Sequence, residues 1–178
     1  MERRYDLVII GAGPAGMSAA IYGSRAGLQV AMLEMGAPGG KLVKTNEISN
    51  WPGTIETNGA KLASDMFEHS TAFGAEYLYG NVIKVEDAGD YKKVICDDGE
   101  VYEAKAVILC TGTYLKARCL CGEAITYTGP NGLQPANYLT DSLKSLGVEM
   151  RRFKTGTPAR MDKRSIDFSK MEEQFGDE

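Results

Sequence analysis

The sequence has little of the chemistry that metal sites require. Its 178 residues contain one histidine and four cysteines, and no Cys/His spacing is typical of a zinc site. We therefore predict no metal site. The histidine, His69, has no identified partner, so we assign it no catalytic role. In the absence of a secretory leader, the cysteines are expected to be reduced thiols rather than a disulfide framework.

Long apolar runs are lacking too. The run LVIIGAG, which begins at Leu7, is cut by glycine well short of a signal peptide, and no run approaches the length that spans a bilayer. We expect no membrane contact and a cytoplasmic location. With 43% hydrophobic and 25% charged residues, the chain has the composition of a globular protein with one core and an appendage.

Acidic residues outnumber basic ones, 24 to 20, but positive charge is concentrated near the C-terminal end. The net charge is −4, which argues against general binding of polyanions. Between Glu149 and Lys170, however, seven Lys or Arg residues stand against three acids. The basic segment, residues 151–164, is either a solvated face or a contact for phosphate groups, and the sequence leaves both interpretations open.

The stretch YDLVIIGAGPAGMSAAIYGSRAGLQVAMLE has the order strand, glycine turn, helix, strand and acid. In G-x-G-x-x-G spacing, the first glycine permits a tight turn, the second lets a pyrophosphate approach the backbone, and the third allows close contact between helix and strand. The acid that ends the second strand can accept the ribose hydroxyls. A glycine-rich turn in an unrelated α/β protein is the alternative. We predict dinucleotide contacts from Gly11, Ala12, Gly13, Pro14, Ala15, Gly16 and Glu34.

The next stretch, GAPGGKLVKTNEISNWPG, favours FAD over NAD. It runs from Gly36 to Gly53 and is too rich in Gly, Pro and Asn to be a crossover helix. A long loop at this place can follow an extended flavin cofactor and present the backbone N–H groups of Gly40, Lys41 and Leu42 to its polar ring edge. The alternative is a disordered surface loop.

The middle of the chain predicts a helix from Ala60 to Phe73 and then a β-meander that returns to the central sheet. Its last strand, Val107 to Cys110, ends at Thr111 and Gly112. Ligands of α/β folds bind beyond the carboxyl ends of strands, so we expect these two residues to close over the cofactor. A short helix from Tyr138 to Leu146, capped by Asn137, follows. The predicted fold class is α/β, a Rossmann-like FAD/NAD(P)-binding domain with a β-meander, plus a partial β-rich insertion domain.

Residues 5–113 resemble the FAD domain of bacterial thioredoxin reductase. The resemblance is carried by GGKLVKTNEISNWPG, GAKLASDMFEHSTAFGAEY and AVILCTGT. It implies that the glycine turn holds the pyrophosphate, that Glu34 holds the adenosine ribose and that Val82 lies near the adenine. It also implies a flavin end lined by Gly39, Gly40, Lys41, Leu42 and Asn50. The family often has glutamine where Lys41 stands.

After Thr113 the resemblance changes. No C-x-x-C and no second glycine fingerprint follow. The blocks TGTYL, LTDSLKSLG, RFKTGTPAR and RSIDFSKMEEQFGD resemble the tRNA uridine 5-carboxymethylaminomethyl modification enzyme MnmG, also called glucose-inhibited division protein A. This resemblance implies an FAD flavoprotein related to tRNA wobble-uridine modification. The expected partners are tRNA, through the basic residues 151–164, and a larger protein assembly.

Departures from that family shape the functional hypothesis. The MnmG family carries a catalytic cysteine in the loop after the second strand, and this chain has none there. We therefore expect a truncated flavoprotein without a complete active site and assign no catalytic residue. A thioredoxin-reductase-like flavin oxidoreductase lacking the redox C-x-x-C and NADPH domain, and a non-catalytic nucleotide- or RNA-binding module, are the alternatives.

Two domains are predicted, an FAD-binding domain over residues 1–113 and a partial insertion domain of MnmG type over residues 114–178. Just after this boundary lie Cys119 and Cys121. In an extended segment their Cα atoms would be about 6.5 to 7 Å apart, at or beyond the usual limit for a disulfide, so we interpret them as structural residues.

Overall fold

A computed structural model describes residues 3–154, 156 and 161–173. The main sheet is built from β1 (Arg3–Ile10), β2 (Val30–Glu34), β3 (Glu76–Tyr79), β4 (Val82–Asp87), β5 (Lys92–Cys96) and β6 (Val101–Leu109). These strands lie in the order β3-β2-β1-β6-β5-β4. β1 pairs in parallel with β2 and β6, and β2 with β3, whereas β4, β5 and β6 form an antiparallel meander. The predicted Rossmann-like sheet with a β-meander is confirmed.

Strand β1 is covered on both faces, which explains its uninterrupted apolar run. Val8 and Ile10 pack into one buried cluster and Leu7 and Ile9 into the other. Parallel strands buried on both sides read as continuous rather than alternating apolar sequence. The next element, α1 (Pro14–Arg25), begins with proline at its first position, where the missing N–H costs nothing.

Helix α2 (Gly59–Ala72) matches the predicted helix to within one residue at each end. It begins where the Asn58 side chain accepts a hydrogen bond from the Lys61 backbone N–H at 2.8 Å, a standard N-cap. Its Leu62 and Met66 pack into the cluster that also holds Leu7 and Ile9. This packing places α2 on the same face of the sheet as α1, and the two helices contact each other.

Helix α3 (Leu139–Ser145) joins the second part of the chain to the sheet. Leu139 and Leu143 are buried in the same cluster as Val82 and Val85. The Ser142 hydroxyl donates to the Val85 carbonyl at 3.0 Å and accepts from the Val85 N–H at 2.8 Å, which satisfies the open edge of β4. A strand edge would otherwise leave these backbone groups without partners. The division after residue 113 stays a prediction, although α3 packs against the sheet of the first part.

The cap predicted for α3 is wrong. The N-cap residue is Tyr138, and the Asn137 amide instead donates to the Tyr127 carbonyl at 3.4 Å. Asn137 is held by this contact with an earlier loop, which competes with capping. The remaining strands, β7 (Cys119–Cys121) and β8 (Ala124–Thr126), form a separate antiparallel hairpin. Within the described part of the chain, no helix is long and apolar enough to cross a membrane.

Candidate cofactor site

A cavity of about 990 Å³ lies at the carboxyl ends of β1, β2 and β6. β1 has β2 on one side and β6 on the other, so the strand order reverses here. Such a switch point is where open α/β sheets bind ligands. The volume lies at the upper end of the range for small-molecule sites, which suits an extended cofactor.

The three glycines of the turn have different physical tasks. At Gly11, φ is +103° and an added Cβ would lie 2.3 Å from the Cys110 carbonyl oxygen, so only glycine fits. At Gly16, a Cβ would lie 1.8 Å from the Gly11 carbonyl oxygen, which shows how closely α1 approaches the turn. A Cβ at Gly13 would meet nothing within 4 Å, and Gly13 lines the cavity. Two glycines therefore build the turn and the third leaves space for a ligand.

The first turn of α1 faces this space and suits an anion. Gly13 is its N-cap residue, no side chain caps it and no acid lies in its first turn. The first N–H groups of a helix have no partner within the helix, and the helix dipole adds positive potential there. Pro14 and Ala15 line the cavity beside Gly13. These features form the half of the site that fits a pyrophosphate.

Glu34 ends β2 at the other side of the turn and also lines the cavity. One carboxylate oxygen accepts from the Ala12 N–H at 3.0 Å and the other from the Met35 N–H at 2.9 Å. The carboxylate has lone pairs left for ligand hydroxyls. Burial raises the pKa of the neighbouring Tyr77, and the negative charge of Glu34 raises it further.

The loop after β2 folds back onto the glycine turn. The Gly39 N–H donates to the Ala12 carbonyl at 2.8 Å, and a 3-10 helix, Gly40–Lys44, follows. An added Cβ at Gly39 would lie 2.6 Å from the Ala63 Cβ on α2, so glycine is needed for this close packing. Gly40, Lys41 and Leu42 line the cavity.

Most of the residues predicted from the sequence converge on this cavity. Those that line it are Gly11, Gly13, Pro14, Ala15, Glu34, Gly40, Lys41, Leu42, Val82, Thr111 and Gly112. Ala12, Gly16 and Gly39 lie behind the lining residues, where they hold the turn and the loop together. Asn50 is exposed and lies outside the cavity lining. The individual roles of these residues in ligand binding stay predictions.

One cavity wall was not predicted from the sequence. It is formed by Leu133, Gln134, Pro135, Ala136, Tyr138 and Leu139. A short ladder holds this segment beside the end of β6: the Ala136 N–H donates to the Tyr114 carbonyl at 2.9 Å, and the Lys116 N–H donates to the Ala136 carbonyl at 3.0 Å. No local pattern marks the segment as part of a site, since only its pairing with residues 114–116 brings it to the cavity.

The roles predicted for the cysteines and the histidine stay predictions, and Cys110 also lines the cavity. Burial, followed by neighbouring carboxylates, raises the pKa of Cys96 to about 11, and burial raises the pKa of Cys110. The Cys119 thiol donates to the Thr128 carbonyl at 3.2 Å, and all four cysteines are free. The His69 ring lies 5.4 Å from the Phe73 ring. The described residues contain no cluster of three or more His, Cys, Asp or Glu able to hold a metal.

Comparison with known proteins finds two related groups. The chain is 42% identical to the tRNA uridine 5-carboxymethylaminomethyl modification enzyme MnmG of Lachnoclostridium phytofermentans, over 98% of this chain and 34% of that protein. It is 47% identical to the thioredoxin reductase of Bacillus subtilis, over 68% of this chain and 38% of that protein. The thioredoxin reductase structure from Streptococcus pyogenes matches with a TM-score of 0.62 and 46% identity, covering 68% of this chain and 39% of that one. The chain thus spans little more than a third of the length of these relatives.

Two family models match separate parts of the chain. Residues 6–46, which contain the glycine turn and Glu34, match the FAD binding domain model. Residues 76–178 match the model of the glucose inhibited division protein A family. The cofactor predicted from the sequence and both predicted resemblances are confirmed. Because the second match extends over more than half of its residues, the chain belongs to the glucose inhibited division protein A family and is an FAD flavoprotein.

Proposed function

We propose that the chain holds one FAD along the switch-point cavity and serves as the flavin-binding part of a tRNA uridine-modifying enzyme. In this arrangement the α1 N-terminus and Gly13 bind the pyrophosphate, and Glu34 binds the adenosine ribose. Val82 lies against the adenine, and Gly40 to Leu42 with Thr111 and Gly112 enclose the flavin end. FAD, when bound, supplies reversible electron exchange, while the protein supplies binding and orientation.

The observation that carries this proposal is the open space at Gly13. That space lies between a helix N-terminus without an acid in its first turn and a strand-terminal carboxylate, and it opens into the cavity of about 990 Å³. A pyrophosphate needs the positive end and the close backbone approach, and a ribose needs the acceptor. The residues present therefore fit FAD.

Reconstitution tests the binding proposal directly. We expect the purified full chain to take up FAD with one-to-one stoichiometry and to show the visible absorption of an oxidised flavin. Replacing Glu34 with alanine should weaken FAD affinity by about 10- to 100-fold, because a charge-assisted hydrogen bond contributes on the order of 1.5–3 kcal/mol. Glu47→Ala, an exposed acid outside the cavity, is the matched control. A chain that stays colourless after incubation with excess FAD would refute the proposal.

The tRNA part of the proposal rests on the family and on the basic segment. Arg151, Arg152 and Lys154 are exposed. Arg151 pairs with Glu149 at 2.9 Å, and the Arg152 guanidinium donates to the Lys116 carbonyl at 3.4 Å, which ties this segment to the end of the cavity wall. Thr155 and residues 157–160 of the basic segment lie outside the described part of the chain. A larger assembly and a cytoplasmic location belong to the same proposal.

Changing Arg151, Arg152 and Lys154 together to glutamine should reduce tRNA affinity and flatten its dependence on salt. Three lost phosphate contacts lower the slope of log affinity against log salt by about 2 to 3. Fluorescence anisotropy with labelled tRNA at several salt concentrations measures this. The control replaces Lys84, Lys92 and Lys93 of the meander with glutamine, which removes the same net charge from another part of the chain. Equal effects of the two triple variants would show that the basic segment has no specific role.

The alternative function is a thioredoxin-reductase-like flavin oxidoreductase. This chain does not supply the redox-active dithiol on which that reaction depends. Such a dithiol exchanges electrons with the flavin. No two cysteines have C-x-x-C spacing, Cys96 lies buried in the core and Cys119 and Cys121 lie on the separate hairpin. The thioredoxin reductase relatives therefore support the cofactor fold, and the division protein A match supports the functional assignment.

A further inference from the structure

Lys41 lines the cavity and reaches the turn after β6. It follows Gly40 at the start of the 3-10 helix. The ammonium nitrogen lies 5.1 Å from the centre of the Tyr114 ring, and a Cβ added to Gly112 would be only 3.3 Å from it. The charge is thus held above the carboxyl end of β6, where the strand order reverses.

The ammonium of Lys41 keeps its hydrogen-bonding capacity for a ligand. Among the described residues, no oxygen accepts a hydrogen bond from it, and its recorded neighbour is the face of Tyr114, which holds a cation without using its donors. Six other lysines form an ion pair with a carboxylate: Lys61, Lys84, Lys92, Lys105, Lys116 and Lys170. Lys41 is half-buried and lines the cavity, so its charge is screened less than that of an exposed lysine.

The position along the cavity indicates which half of a dinucleotide Lys41 would meet. Glu34, at the end of β2, lies at the proposed ribose end of the cavity. The glycine turn after β1 is adjacent to it. Gly40 packs beside this turn, since a Cβ added to it would lie 3.4 Å from the Gly13 Cα. Lys41 continues from there toward β6, on the side away from Glu34. A cofactor with its adenosine ribose at Glu34 therefore extends its flavin half toward Lys41.

We propose that Lys41 places its positive charge against the polar edge of the flavin ring and makes the bound flavin a stronger electron acceptor. This inference rests on the proposed FAD binding. Negative charge develops at the N1–C2=O edge of a flavin when electrons or a nucleophile add to the ring, and a nearby cation stabilises that charge. In this role Lys41 tunes the reduction potential of the flavin. The loop itself is held by backbone hydrogen bonds, such as that from the Gly39 N–H to the Ala12 carbonyl, which do not involve the Lys41 side chain.

Sulfite is a suitable probe because its binding reports this charge without any substrate. The sulfite sulfur donates its lone pair to flavin N5, the N5=C4a bond opens, and the electron pair moves into the N1–C2=O edge, so no oxidant or reductant is needed. The bleaching of the visible flavin band measures the dissociation constant. With the FAD-loaded full chain, Lys41→Gln is expected to weaken sulfite binding by about tenfold, as loss of one partly screened charge at close range would.

Two further variants separate the effect of this charge from others. Lys41→Arg keeps the charge and should bind sulfite within about threefold of the unmodified chain. Lys61→Gln removes an equal charge from α2, where Lys61 pairs with Asp65 outside the cavity, and should leave sulfite binding unchanged. The FAD dissociation constant of each variant is measured by flavin fluorescence, so that a change in sulfite affinity is separated from a change in cofactor affinity.

The outcomes separate this inference from the proposed function. A yellow Lys41→Gln protein with an unchanged sulfite constant overturns the tuning role and leaves FAD binding intact. Loss of FAD affinity with unchanged sulfite affinity also overturns it, because Lys41 would then contact the phosphates. A chain that never takes up FAD overturns the proposed function and this inference together. A lower midpoint potential in Lys41→Gln, measured by dye-coupled reduction, supports the tuning role independently.

Discussion

Gly13→Ala is expected to leave the protein folded and to weaken FAD binding by about 100-fold, since overpacking by one methyl group costs up to about 3 kcal/mol. The added methyl group meets no atom within 4 Å in the folded chain, and the backbone at Gly13, with φ of −76° and ψ of −175°, suits alanine. It would instead occupy the space that the pyrophosphate needs. A flavin fluorescence titration measures the affinity.

In this variant, FAD affinity should fall without a loss of folding stability. Alanine restricts the unfolded chain, so the free energy of unfolding without FAD should stay equal or rise by about 0.4–1 kcal/mol. Gly156→Ala adds the same methyl group in open space outside the cavity and serves as the control for the chemical change. If Gly13→Ala bound FAD as tightly as the unmodified chain, the cofactor would not approach this turn, and the assigned phosphate site would be wrong.

Gly16→Ala is expected to lower the free energy of unfolding by about 3–5 kcal/mol, at the severe end for a single substitution. Its Cβ would lie 1.8 Å from the Gly11 carbonyl oxygen and 3.3 Å from a methyl group of Ile9. The turn cannot yield easily, because the Gly11 N–H is bonded to the Leu33 carbonyl at 2.8 Å. Urea denaturation monitored by circular dichroism measures the loss.

The control for Gly16→Ala is Ser18→Ala, a change of similar size on the same helix, for which we expect an effect within about 0.5 kcal/mol. An unfolding curve of Gly16→Ala that superimposes on that of the unmodified chain would contradict the close contact between α1 and the turn. Together, the two glycine variants separate a residue kept small for the ligand from one kept small for the fold.

Local chemistry explains why the first half of the site was predictable. The glycine spacing, the apolar run before it and the acid after the next strand each act within a few residues of their own position. β1, α1 and β2 therefore formed as expected, and α2 matched because its apolar periodicity and its Asn58 cap are local features. The cap of α3 was predicted wrongly because Asn137 bonds to Tyr127, a contact that no local pattern signals.

The sequence alone determined the cofactor class, the strand-turn-helix that faces it and the two families that the chain resembles, because these depend on spacing along the chain. Only the tertiary structure decided the rest of the cavity. The pairing of Ala136 with Tyr114, the burial of Leu143 against Val85 and the approach of Lys41 to Tyr114 join residues far apart in sequence. Such contacts arise from packing of the whole sheet, which no short window of sequence contains.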